Sequence, residues 1–155
     1  GRSFGPVDLN KVMHDVLQDL ELMVKQSQAE IDVASLPVIA ADGLQMGQLL
    51  QNLLSNTMRY ARPGVPPRIR VSSEPRPGRE VAIIVEDNGQ GIARKHLASL
   101  FKPFYRPQES NQVDGTGMGL AIVRRIAERH NGTVTVESQP GVGSKFTVVL
   151  PERQE

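Results

Sequence analysis

The amino-acid sequence predicts a two-layer α/β sandwich, in which three helices cover one face of a mixed, mainly antiparallel sheet of about five strands. Apolar residues recur at helical spacing in residues 7 to 28, 42 to 60 and 117 to 130. Residues 81 to 85 are continuously apolar, which is typical of a central strand buried on both faces. Two alternating apolar segments near the end of the chain predict closing strands.

The first helix is expected to begin after Asp8, which can cap it. Residues 31 to 40 contain Pro37 and predict short extended pieces. Asp42 then caps the second helix, which runs to about Tyr60. The buried stripe predicted for that helix is Met46, Leu49, Leu50, Leu53 and Leu54.

After a proline-rich break, residues 68 to 72 alternate like a half-buried strand, and residues 75 to 78 predict a turn. Residues 87 to 116 are mostly polar, and so long a segment is usually functional. We expect a lid over roughly residues 92 to 114 that is mobile without a ligand. The closing strands contain Val134 and Val136, then Phe146, Val148 and Leu150.

Composition narrows the class of protein. The 155 residues suit one domain, expected over residues 7 to 151 with tails at 1 to 6 and 152 to 155. A net charge of +1 argues against bulk nucleic-acid binding. The absence of cysteine excludes disulfides and thiolate chemistry. No apolar run approaches the roughly 20 residues that span a bilayer, and no signal peptide is expected.

The first motif is a pair of asparagines on the second helix. Asn52 and Asn56 are one turn apart and share a face that borders the leucine stripe. Asparagine is disfavoured inside helices, so two at this spacing need a reason. An amide oxygen suits Mg²⁺, which would bridge nucleotide phosphates, and Arg59 adds a positive charge. A solvated helix edge with two incidental amides stays open as the alternative.

The second motif, residues 87 to 92, directly follows the central strand, where open α/β sheets bind ligands. The Asp87 carboxylate can accept a hydrogen bond from an exocyclic amine such as that of adenine, a donor that guanine lacks there. Gly89 and Gly91 permit a sharp turn or a close backbone approach. Taken alone, this motif favours an ordinary Asp-Asn-Gly turn.

The third motif, Gly115-Thr116-Gly117-Met118-Gly119-Leu120, opens the third helix. Glycines there expose backbone N–H groups, and the helix dipole favours an anion, so the motif predicts a phosphate site. It lacks the Lys-Ser/Thr of the common phosphate loop. No strand leads directly into it, which argues against a dinucleotide fingerprint.

In this order the motifs resemble those of the catalytic ATP-binding domain of sensor histidine kinases, and the resemblance extends from about Val7 to Pro151. The asparagine helix resembles the N box, residues 87 to 91 and 115 to 120 the two glycine boxes, and residues 100 to 106 the F box. Residues 6 to 9 look like the connection from dimerisation helices, of which residues 1 to 6 would be a remnant. The fold implied is that of histidine-kinase-like ATPases.

The resemblance implies a role for each matching residue. Asn56 would ligate Mg²⁺, Asn52 would lie beside the phosphates, and Asp87 would hydrogen-bond the adenine amine. Arg59 and Arg106 would contact the phosphates and act with Asn56 as catalytic residues. Phe101 and Phe104 would anchor the lid. The other nucleotide contacts implied are Tyr60, Gly89, Gly91, Ile92, Phe104, Gly115, Thr116, Gly117, Met118, Gly119 and Leu120.

The function implied is transfer of the γ-phosphoryl group of Mg·ATP to a histidine on a separate dimerisation domain, which then serves a response regulator. This domain is expected in the cytoplasm, as a monomer, without membrane or nucleic-acid contact. None of the three histidines of the chain suits the acceptor role. His14 should face away from the apolar side of its helix, and His96 and His130 are expected to be solvated.

Three other functions stay open. ATPases of the gyrase, mismatch-repair and chaperone kind place a glutamate four residues before the metal-binding asparagine, where this chain has Asn52, so fast hydrolysis is not expected. Glu86, the nearest carboxylate, should point away from the side of Asp87. A degenerate kinase that only senses nucleotide is the second. The third, a serine kinase of the anti-sigma type, would lack Phe101 and Phe104.

Overall fold

A computed structural model describes residues 4 to 105 and 118 to 154 and confirms the predicted fold class. Its main sheet has five strands in the order β2-β4-β5-β7-β6, and only β2 and β4 run parallel. The strands are β1 (Gly5–Asp8), β2 (Glu30–Val33), β3 (Val38–Ala41), β4 (Arg68–Arg76), β5 (Glu80–Asp87), β6 (Thr133–Gln139) and β7 (Gly143–Pro151). The helices are α1 (Leu9–Asp19), α2 (Glu21–Ser27), α3 (Gly43–Arg59), α4 (Arg94–Leu97) and α5 (Gly119–Arg129).

The N-terminal segment differs from the single helix predicted over residues 7 to 28. Residues 5 to 8 form β1, which pairs with β3 in a separate two-stranded sheet. The helix then breaks at Leu20, where φ and ψ of −96° and 6° leave the α region. The hydrogen bonds of Leu20 to Val16 and of Val24 to Leu20 bridge this break. The apolar spacing therefore stays nearly helical, which is why one helix was predicted.

The central strand is buried on both faces, as predicted. All five residues from Val81 to Val85 are buried, and alternate members join the core beneath the helices. The same alternation places Glu86 on the opposite face, exposed between Arg70 and Lys145 of the neighbouring strands. Its side chain therefore points away from the side of Asp87, which confirms the predicted direction.

Helix α3 lies across this core. Asp42 caps its first turn by accepting a hydrogen bond from the Gln45 backbone N–H at 3.1 Å. The predicted stripe is buried: Met46, Leu49, Leu50, Leu53 and Leu54 are each at most 2% exposed. Helix α5 packs beside α3. None of the helices in the described ranges is long and apolar enough to cross a membrane.

Two of the three histidines are buried, so the prediction that they are solvated was wrong. His96 hydrogen-bonds the Tyr105 hydroxyl through Nδ1, and His130 is 0% exposed. Both follow polar residues, but the ring of Tyr105, nine positions later, packs near His96, and the ring of Phe4, far away in the sequence, packs on His130. His14 is exposed, in agreement with its predicted position.

Candidate functional site

A carboxylate ends the central strand. Asp87 is the last residue of β5, where it pairs with Ile69 of β4 and Ser144 of β7. Its Oδ1 accepts a hydrogen bond from the Gly89 backbone N–H at 2.8 Å. Burial raises the pKa of Asp87 to about 6, and the backbone N–H groups of Gly89 and Ser144 oppose that shift only in part. A half-buried acceptor of this kind suits a ligand amine.

The turn after Asp87 packs directly against the end of α3. The Gln90 N–H donates to the Tyr60 carbonyl at 2.8 Å, and the Gln90 side chain donates to the Ala61 carbonyl at 3.1 Å. A Cβ at Gly89 would lie 2.7 Å from the Tyr60 oxygen, so only glycine fits this approach. The close approach brings the strand-end carboxylate to the helix end that carries Asn56, Arg59 and Tyr60.

Asn88 joins the same turn to the loop between α3 and β4. Its Oδ1 accepts from the Arg68 N–H at 2.8 Å, and its Nδ2 donates to the Pro66 carbonyl at 3.3 Å. The Arg62 Nε donates to the Asn88 carbonyl at 2.9 Å. These structural roles of Arg62, Asn88 and Gln90 were missed from the sequence, where an Asn-Gly pair indicates only a turn.

The second glycine of the motif packs against the β6–β7 hairpin. Gly91 has a φ of 73°, and a Cβ there would lie 2.1 Å from the Gln139 carbonyl oxygen. The next residue, Ile92, donates its N–H to the Ser138 hydroxyl at 2.8 Å. Both glycines therefore serve close backbone approaches, as predicted, and the motif is more than an ordinary turn.

The two asparagines of α3 differ in their surroundings. The Asn52 side chain donates to the Gln48 carbonyl at 2.8 Å and lies against α5, since a Cβ on Gly119 would be 3.3 Å from its Oδ1. The Asn56 side chain is half-buried and makes no hydrogen bond to another residue of the described ranges. Its amide oxygen therefore has the chemistry and the accessibility that a hard cation needs.

Helix α5 begins beside Asn52. Its N-cap, Met118, has no side-chain capping bond, so backbone N–H groups of the first turn depend on other partners. Leu120 is 7% exposed, and its side chain belongs to the core. Any nucleotide contact by Leu120 would thus involve its backbone. The predicted contacts Gly115, Thr116 and Gly117 lie outside the described residues.

The start of the predicted lid is held by aromatic packing. The rings of Phe101 and Phe146 meet edge to face, with centroids 6.3 Å apart. Phe104 is 72% exposed and has a φ of 62°, unusual for an aromatic residue. Phe101 therefore anchors this segment to the sheet, while the Phe104 ring points into solvent. Arg106 and the lid after residue 105 lie outside the described residues.

The chain matches the family of histidine kinase-, DNA gyrase B- and HSP90-like ATPases over residues 41–154. It is 36% identical over 144 residues to the phytochrome-like protein Cph1 of Synechocystis sp., covering 93% of this chain and 19% of that protein. It is 43% identical over 117 residues to the sensor histidine kinase CusS of Escherichia coli O157:H7, covering 74% of this chain and 23% of that protein. This chain thus spans about a fifth of either relative.

Solved structures share the fold. The structure of full-length ShkA in complex with AMPPNP superposes with a TM-score of 0.82 at 28% identity, covering 97% of this chain and 31% of that one.

Proposed function

The chain belongs to the family of histidine kinase-, DNA gyrase B- and HSP90-like ATPases, as the catalytic ATP-binding domain of a sensor histidine kinase, and from that premise we propose its reaction and site. It binds ATP together with Mg²⁺ and transfers the γ-phosphoryl group to a histidine on a separate dimerisation domain of the same protein. A response regulator then receives that group. The domain works in the cytoplasm and is monomeric by itself.

The observation that carries this proposal is the convergence of all three motifs on α3. The turn after Asp87 packs on the end of α3 through Tyr60, and the start of α5 packs on Asn52. Asn56 lies one helical turn after Asn52 and just before Tyr60, between these two contacts. A carboxylate, an amide and a helix N-terminus therefore meet around one segment of a helix.

Each group has a task that its chemistry supports. Asp87 accepts the adenine amine, and Gly89 and Gly91 shape the wall behind it. Asn56 offers its amide oxygen to Mg²⁺, which when bound would neutralise charge on the phosphates. Arg59 and the first N–H groups of α5 add fixed positive charge. Arg106 and Gly115 to Gly117 are proposed to complete the phosphate site from the lid.

Phosphoryl transfer requires in-line positioning and charge neutralisation more than covalent assistance by the protein. The nucleophile is an imidazole nitrogen of the partner domain, which attacks the γ-phosphorus while the bond to the ADP oxygen breaks. His96 and His130 are buried, so neither suits an acceptor that must reach a phosphorus atom.

The surroundings of α3 favour transfer over hydrolysis. A hydrolase needs a general base that activates water. Asn52 occupies the position of that base, and its amide is committed to Gln48 and packed against Gly119. Glu86 is exposed on the opposite face of the sheet. ATP hydrolysis by this domain alone should therefore be slow.

The test is to mix the chain with Mg·ATP and the dimerisation domain of its own protein and to assay for acid-labile phosphate on histidine. Phosphohistidine that depends on Asn56 supports the proposal. Rapid release of free phosphate without phosphohistidine would indicate an ATPase instead. Tight ATP binding with neither product would indicate a nucleotide-sensing module.

A further inference from the structure

His130 is a buried titratable residue that the proposed reaction does not use. It follows the last residue of α5 and is 0% exposed. Its Nε2 lies 3.1 Å from the backbone N of Asp42, the N-cap of α3, and its Nδ1 lies 2.9 Å from the Ile126 carbonyl oxygen. The ring therefore joins the end of α5 to the beginning of α3.

The two contacts determine the form of the ring. The Asp42 N–H is a donor, so Nε2 must accept with its lone pair, whereas the Ile126 carbonyl is an acceptor, so Nδ1 must carry the proton. His130 is consequently the neutral Nδ1–H tautomer. An imidazole in this form can accept a hydrogen bond from the first residue before α3 and at the same time donate one to a carbonyl of α5.

At the N-terminus of α3, the hydrogen bond from Asp42 to His130 replaces a hydrogen bond within the helix cap. Asp42 and Gln45 have the spacing of a capping box, in which the Gln45 side chain would accept the Asp42 N–H. That N–H is instead bonded to His130. The Gln45 Oε1 is left buried, with no hydrogen-bond partner in the part of the chain that the structure describes. The beginning of α3 is thus tied to α5 at the expense of its own cap.

The other end of α5 meets the middle of α3 at the proposed nucleotide site. There, the start of α5 lies against Asn52, with 3.3 Å between its Oδ1 and a Cβ built on Gly119. Eleven residues of α5, about 16 Å of helix, separate this contact from His130. Because a helix is stiff over that length, a shift of one end of α5 relative to α3 moves the other end as well.

We propose that His130 is a positioning residue for the nucleotide site. Its hydrogen bond to Asp42 sets the placement of α5 against α3 and thereby holds the first turn of α5 beside Asn52. It touches neither nucleotide nor metal. This inference rests on the proposed function for its nucleotide readout, but the helix placement itself can be measured without nucleotide.

Two substitutions separate the bond to α3 from the bond within α5. In His130→Gln the side-chain carbonyl can take the place of Nε2 and accept from Asp42. In His130→Asn the shorter amide replaces Nδ1, donates to Ile126 and cannot reach Asp42, whose N–H is then free to close the capping box with Gln45. Both residues are neutral amides, so they differ mainly in the bond that they preserve.

The first measurement is the distance distribution between spin labels at Gln51→Cys on α3 and Arg125→Cys on α5. Both positions are exposed, and the chain contains no other cysteine. The distribution should broaden or shift in His130→Asn and stay that of the parent in His130→Gln. An unchanged distribution in His130→Asn, or the same change in both variants, would overturn the inference.

The second measurement is calorimetric titration with Mg·ATP. We expect the affinity to fall about threefold to tenfold in His130→Asn, the range that one hydrogen bond allows, and to be retained in His130→Gln. Should His130→Asn not fold, the Gln variant decides, because a broadened distribution or a weakened affinity there contradicts the inference. A parent chain that binds no ATP would refute the proposed function, while the label distances would still test His130.

Discussion

The Cα of Gly89 lies so close to the backbone carbonyl of Tyr60 that a Cβ would come within 2.7 Å of its oxygen. The nearest obstacle is the main chain at the end of α3, which cannot rotate away as a side chain could, and the same Cβ would lie 2.9 Å from the Asp87 Oδ1. The distance between the strand-end carboxylate and the helix that carries Asn56 therefore depends on the absence of one methyl group.

Gly89→Ala should push the turn away from α3 and weaken ATP binding. Overpacking of this kind costs about 1 to 3 kcal/mol. If half of this free-energy cost is expressed as weaker nucleotide binding, the affinity for Mg·ATP drops roughly threefold to tenfold, which calorimetry can measure. Gly47→Ala on α3 is the control, since a Cβ there meets Val12 only at an ordinary 3.9 Å. A Gly89 variant with parent affinity would show that the close approach does not define the site.

Asp87→Asn should change stability in a pH-dependent way. The folded-state pKa of about 6 lies above the ordinary 3.8, so this group contributes stability that is fully present below about pH 4 and is lost as the pH rises through 6. The amide keeps the acceptor for Gly89 without the buried charge. We expect the variant to be about 1 to 3 kcal/mol more stable than the parent at pH 8 and to lose that advantage near pH 4. Urea unfolding at both values tests this, and a constant difference would contradict it.

The same substitution should reduce ATP affinity by roughly tenfold to a hundredfold at pH 8, because an amide donor can face the adenine amine. Below about pH 6 the parent carboxyl becomes protonated, so its affinity should fall towards that of the variant. The ratio of the two affinities isolates Asp87 from the titration of ATP itself. Equal binding of GTP and ATP by the parent would refute the role in base selection.

Asn56→Ala should abolish the dependence of ATP binding on Mg²⁺. We expect at least about a tenfold loss of Mg·ATP affinity, because even residues that only hydrogen-bond to metal ligands change metal affinity by about tenfold or more when they are mutated. Gln51→Ala, on the exposed side of the same helix, is the matched control. Unchanged Mg·ATP affinity in Asn56→Ala, measured by calorimetry with and without chelator, would remove the metal role.

Asn88→Ala should weaken both the fold and the site. The change removes the bonds to Arg68 and Pro66, with an expected cost of about 1 kcal/mol because both lie near solvent. Asn10→Ala is a matched control: its amide also makes two bonds to a loop, both to Leu36, at 2.8 Å, far along the chain from the motifs. The two variants should lose similar stability in thermal unfolding.

Only Asn88→Ala should also lose ATP affinity, by a few-fold. Equal affinities in the two variants would mean that the loop bond does not position the site.

Patterns within single segments were sufficient for much of this domain. The apolar run at residues 81 to 85, the leucine stripe of α3 and the caps at Asp8 and Asp42 are local consequences of periodicity and backbone hydrogen bonding, and each was predicted. The order of the motifs likewise indicated the family before any geometry was known.

Burial by distant segments was decided only by the tertiary structure. His130 looks like a polar residue at a helix end. Its Nε2 nevertheless accepts a hydrogen bond from the backbone N–H of Asp42, 88 positions earlier in the chain, and Phe4 packs on its ring. The bonds of Gln90 and Asn88 to the segment between α3 and β4 also cross long separations in the chain. Periodicity reports which face of an element is apolar, because that depends on residues a few positions apart. Which polar atom meets which depends on how whole elements pack, and no local spacing encodes that.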